Sequence, residues 1–171
     1  RGRRARRERR PAGAMNWLDA IAASDEGCVL VTLALAQGST PREAGAKMAV
    51  FPGAIAGTIG GGNLEFKAIE RARQMLAESS VAPLSLHRLP LGPSLGKCCG
   101  GAATLVLERI EHPRPSWVSA LRDALAAGEA RTFITRASRG DAEGARIAPA
   151  DGPTRLQESA DGEWTLFDAI G

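Results

Sequence analysis

The stretch "CVLVTLALA", residues 28–36, is almost unbroken in apolar character and carries several β-branched side chains. A strand of that pattern has no solvent face, so it must lie in a sheet covered on both sides. The rest of the chain has to supply those covers. Two amphipathic segments can do so. After Asn63, a good N-cap, Leu64, Ala68, Ala72 and Met75 recur at helical spacing, and the helix is expected to end near Ser79. "SWVSALRDALAAG" is a second, capped amphipathic helix, closed by Gly128. A shorter helix over 16–23 would bury Trp17, Leu18 and Ile21.

Further strands are predicted at 46–51, briefly around 55–59, at "LSLHRL", at 102–110, at "ARTFITRAS" and at "EWTLFDAI". The polar, glycine-dotted stretch between the last two carries no strand signal. Pro113 and Pro115 mark a joint. The reading is α/β in the mixed α+β sense: a mixed sheet with two main helices and a single domain around one core. Residues 15–112 carry the distinctive motifs, and 113–171 form a smaller α/β extension.

Composition narrows the class of protein. Of 171 residues, 44% are hydrophobic and 24% charged, the balance of an ordinary soluble globular chain. No run is long enough for a membrane-spanning helix and no signal peptide opens the chain, so a soluble, cytoplasmic protein is expected. The first ten residues, "RGRRARRERR", contribute +6 to a total of +3, leaving about −3 for the remainder. Such a run repels itself and buries nothing, so residues 1–14 read as a disordered basic tail ahead of a domain starting near Met15. No aromatic residues interleave with the arginines to stack on bases, so nucleic acid is not the expected partner.

Three cysteines do not make a disulfide framework. Cys28 lies in the apolar run and reads as a small core residue. Cys98 and Cys99 are adjacent, in "GKCCGG". Lys97 favours the nucleophilic thiolate, and Gly100 and Gly101 leave the sulfurs accessible. A structural zinc site usually takes four ligands, often from C-x-x-C pairs, and no spacing here recruits His87 or His112. Those histidines read as surface or core residues.

Two other loops carry chemistry. "GSTPREAG" offers the hydroxyls of Ser39 and Thr40 and the guanidinium fork of Arg42, suited to an oxyanion, although a plain turn would look similar. "GTIGGGNLE" places Gly60, Gly61 and Gly62 ahead of a helix, where backbone amides can approach an anion. It lacks the Lys-Ser/Thr ending of a nucleotide-hydrolase loop and the register of a dinucleotide fingerprint. Glu65 follows directly and has no role legible in the sequence.

Together, "ALAQGSTPREAGAKMAV", "GTIGGGNLE" and "LGKCCGG", in that order, resemble the N-terminal part of the xanthine dehydrogenase accessory family, XdhC/CoxI. The resemblance runs from about Met15 to Ile110. It implies a cytoplasmic chaperone, not an enzyme, for the molybdenum cofactor (molybdopterin). Such a protein protects the cofactor, assists its sulfuration and delivers it to an apo molybdenum hydroxylase such as xanthine dehydrogenase. A cysteine desulfurase partner and a homodimer go with that expectation. Carried over by motif, Cys99 is the foremost cofactor-binding residue and would meet the molybdenum. Cys98, Gly100 and Ser39 follow, with the Gly60–Gly62 turn or Arg42 suited to the cofactor's phosphate. Family members often continue into a Rossmann-like domain, which this sequence does not contain. The alternative is a thiol-dependent sulfur or redox transferase using Cys99, with Cys98 as resolving partner. No catalytic base is evident from spacing.

Overall fold

The computed structural model describes residues 16–38, 40–91, 101–137 and 142–171. The apolar run forms β1 (Cys28–Gln37), the middle strand of a five-stranded sheet. Its companions are β2 (Lys47–Val50), β3 (Ile55–Gly57), β4 (Leu84–Leu91) and β5 (Gly101–Ile110), in the order β3-β2-β1-β5-β4. Every pairing is antiparallel.

The two faces of β1 go to different covers, as period-2 alternation requires. Val29, Val31 and Leu33, joined by Met48, Val50, Leu105 and Leu107, pack beneath α2 (Gly62–Ala77). That helix buries the four expected residues, Leu64, Ala68, Ala72 and Met75. Cys28 and Leu30, with Ala49 and Ile110, face α1 (Asn16–Ala23) and α3 (Ser116–Ala126), where Trp17, Leu18, Ile21, Trp117 and Leu121 are buried. Burial pushes the Cys28 thiol up to about 11, so it is a protonated core residue at neutral pH. The Arg114 guanidinium reaches back to α1, donating to the carbonyls of Ile21 at 3.0 Å and Ser24 at 2.8 Å. It thereby supplies the cation that the last turn of α1 lacks.

The remaining chain forms a second antiparallel sheet of β6 (Arg131–Ala137), β7 (Ala142–Pro149), β8 (Arg155–Glu158) and β9 (Trp164–Ile170), ordered β7-β6-β9-β8. It closes over the same face of the first sheet as α1 and α3. Leu166 meets Ala34 and Val106, and Phe133 and Ile170 join the cluster around Trp17. The α+β class therefore holds, but the strands divide into two antiparallel sheets instead of one mixed sheet.

Three local expectations need correction. β7 and β8 occupy the stretch that carried no strand signal. They are the two edge strands of their sheet, and edges tolerate the glycine, proline and charge that mask a strand pattern. Asn63 is not the cap of α2; Gly61 stands at the N-cap with no side-chain cap bond. α3 likewise has Pro115 at its N-cap with no side-chain cap bond, whereas Gly128, at φ +76°, closes it as expected. The basic tail, residues 1–14, lies outside the described residues. Among those described, no helix is long and apolar enough to cross a membrane.

Candidate functional site

The antiparallel order brings the motif loops to one end of the five-stranded sheet. β1 ends there at Gln37 and β2 begins at Lys47; β3 ends at Gly57, β4 at Leu91, and β5 begins at Gly101. The connections 38–46, 58–61 and 92–100 thus all leave from this end. Gln37 pairs with Ala102, and Leu91 with Gly101, so the anchors of the cysteine-bearing connection sit directly beside the end of β1. Cys98, Cys99, Gly100 and Ser39 themselves lie outside the described residues.

The two described loops touch. A Cβ built on Gly60 would fall 2.6 and 2.7 Å from Pro41 side-chain atoms and 3.2 Å from Arg42 Cγ. Gly60 also adopts φ +122°, where side chains are strained. Gly60→Ala is therefore expected to cost about 2–3 kcal/mol. Chemical denaturation would measure the loss, with amide shifts at Pro41's neighbours reporting the displaced loop. An unchanged midpoint would show that the loops do not depend on this contact.

Between these loops and Trp17 lies a cleft of about 500 Å³, lined by Pro41 to Lys47 and by Thr58. Its size suits a small organic ligand. Arg42 stands exposed on its wall, and among the described residues it has no ion pair. Glu43 contributes the opposing charge.

The glycine loop is arranged differently from the sequence expectation. Glu65, on the first turn of α2, folds its carboxylate back into the loop. One oxygen, Oε2, accepts from the Ile59 N–H at 3.0 Å, the Gly61 N–H at 3.1 Å and the Thr58 hydroxyl. Thr58 Oγ1 in turn accepts from the Gly60 N–H at 3.1 Å. The amides of Ile59, Gly60 and Gly61 are therefore already satisfied from within the chain. Glu65 plays the part that an anion would play at such a turn, and it acts where a side-chain N-cap is absent.

A second unforeseen feature lies at the base of the cleft. Lys47 belongs to β2 and Asp168 to β9, and their side chains are 2% and 0% exposed. The Lys47 ammonium donates to Asp168 Oδ2 and, at 3.1 Å, to Thr32 Oγ1. The other carboxylate oxygen, Oδ1, accepts from the Thr154 hydroxyl at 2.9 Å. The rings of Trp17 and Phe133 flank the ammonium at 5.8 and 5.9 Å. Their signal in the sequence was a single charge inside each of two otherwise apolar strands, which a periodicity reading passes over. Lys47 lines the cleft as well as tying the sheets together.

The loops that form this site fall within or near the part of the sequence with known relatives. Residues 21–87 match the model of the XdhC and CoxI family. Over those residues the chain is similar to the XdhC and CoxI family. The matched region contains both described motif loops, Lys47 and Glu65, and ends before the adjacent cysteines. Among solved structures, one described as a xanthine dehydrogenase from Bacillus halodurans is similar at 22% identity, with a TM-score of 0.63. The match covers 78% of this chain and 41% of that one, so this chain spans about two fifths of its length. At that identity the likeness is one of fold. No curated protein matches the sequence.

Proposed function

We propose that the protein is an accessory factor for a xanthine dehydrogenase-type molybdenum hydroxylase and binds the molybdenum cofactor as cargo. The observation that carries this reading is the cleft: both described family loops wall it, and the anchors of the cysteine loop stand at the same sheet end. The donor set fits an anionic, phosphate-bearing guest. Arg42 offers a guanidinium at the wall, and Lys47 an ammonium with two of its three N–H groups engaged among the described residues. The glycine loop would shape the cleft instead of holding the phosphate, because Glu65 and Thr58 occupy the amides of Ile59, Gly60 and Gly61.

The soft dithiolene-bound metal of the cargo suits thiolate neighbours, and Cys99, with Cys98 beside it, is assigned that role. On this reading the protein shields its guest, assists its sulfuration and hands it to the client enzyme, with no turnover of its own. A cysteine desulfurase and a second copy of the chain belong to the same proposal as partners.

Pterin and molybdenum analysis of protein isolated from a molybdate-fed host tests it. Wild type should retain the cofactor, Cys99→Ala should lose most of it, and Arg42→Ala should retain several-fold less. Equal cofactor content in all three proteins would overturn the assignment of both residues.

A further inference from the structure

A second cavity, of about 240 Å³, lies on the opposite side of the five-stranded sheet, between α2 and the edge strand β4. Its floor is apolar, formed by Leu89, Leu105 and Leu107. Its walls are not. Lys67 and Arg71 come from α2 and His87 from β4, against one carboxylate, Glu70, so the fixed charge of the wall is +2 − 1 = +1.

Two observations suit this groove to an anion. The Nε–H of Arg71 is shielded from solvent and has no hydrogen-bond partner among the described residues, although the same guanidinium donates to Gln74 through another nitrogen. A shielded donor left in that state is destabilising, and an oxyanion placed beside it would satisfy it. Secondly, His87 is packed into the same wall, its Nε2 in contact with Ser85 Oγ at 3.0 Å. Burial, and then the Arg71 charge, lowers its pKa, which favours the neutral ring beside the Arg71 guanidinium.

We propose that this groove binds a compact organic oxyanion, its head against Arg71 and His87 and its apolar body on Leu89, Leu105 and Leu107. The site is separate from the cleft at the motif loops and does not rest on the cofactor reading. The head supplies the acceptor that Arg71 Nε lacks, and the leucine floor selects for a hydrocarbon or aromatic body over a bare inorganic ion. Binding should also take up a proton. The charged groups facing His87 are Lys67, Glu70 and Arg71 from α2; Ser85 lies on its own strand, and β5 presents only leucines. A bound anion beside the ring would raise the His87 pKa and favour the imidazolium.

Phenylacetate, whose charge is constant over that range, is a suitable probe for NMR titration of the full chain. Saturable shifts are expected at the Arg71 Nε–H and the His87 ring. Acetate, which has only the head, and benzyl alcohol, which has only the body, should each bind at least tenfold more weakly. Arg71→Gln should weaken phenylacetate at least tenfold. Affinity should be several-fold tighter at pH 6 than at pH 8, and His87→Gln should abolish that difference. Should Arg71→Gln perturb folding, the wild-type Nε–H shift and the probe ranking still decide. Non-saturable shifts, equal binding of acetate, or saturable shifts confined to the motif-loop cleft would overturn the proposal.

Discussion

Glu65→Ala is expected to lower the melting temperature by roughly 5–15 °C, through a loss of about 2–4 kcal/mol. One carboxylate oxygen accepts from two backbone amides and a hydroxyl in a loop whose glycines at 60, 61 and 62 all have positive φ. Without that acceptor the donors lose their partner, and solvent replaces it incompletely because the site is partly buried. Glu65→Gln keeps one carbonyl acceptor and should lose less than half as much. The alanine variant also reopens the amides as an anion nest, so sulfate or phosphate should raise its melting temperature more than that of wild type. Thermal melts with and without the anion make the comparison. A melting temperature for Glu65→Ala equal to wild type would mean that the loop holds its shape without the carboxylate.

Asp168→Ala should be at least as damaging, at about 3–5 kcal/mol, because it leaves the Lys47 ammonium buried without its counter-charge. The pair links β2 of one sheet to β9 of the other across 121 residues of sequence, so its loss also loosens the sheet-on-sheet contact. Removing both charges is a different perturbation. Lys47→Met combined with Asp168→Leu leaves no orphaned ion, and should be markedly less destabilised than Asp168→Ala. Denaturant unfolding of Lys47→Met, Asp168→Leu and the double variant gives the coupling directly. Additive losses would show that the two side chains do not act as a pair. The double variant also separates stability from binding. If Lys47 contributes to cargo retention, the refolded double variant should retain less cofactor than wild type at equal folded fraction.

Much of the architecture could be read from local pattern. Continuous apolarity marked β1 as covered on both faces, and helical spacing selected Leu64, Ala68, Ala72 and Met75 as the inner face of α2. These signals are strong because burial acts on side chains a few positions apart, whatever the rest of the chain does. β7 and β8 escaped because an edge strand is stabilised along one side only, and polar or glycine-containing residues satisfy it. The order of the motifs was likewise enough to point to the XdhC and CoxI family, and the match over residues 21–87 agrees.

The connectivity of the charged groups was not legible in the same way. Asn63 looked like the cap of α2, yet Glu65, two positions on, holds the loop, because a longer side chain can reach amides that a positive-φ turn directs inward. Lys47 and Asp168 carry no mutual signal at all: each is one charge in an apolar strand, and only the closing of one sheet over the other makes them partners. Periodicity records which face of an element meets the core. Which buried charge answers which is settled by chain reversal and sheet packing, since a desolvated ion is tolerated only where folding brings it a counter-ion.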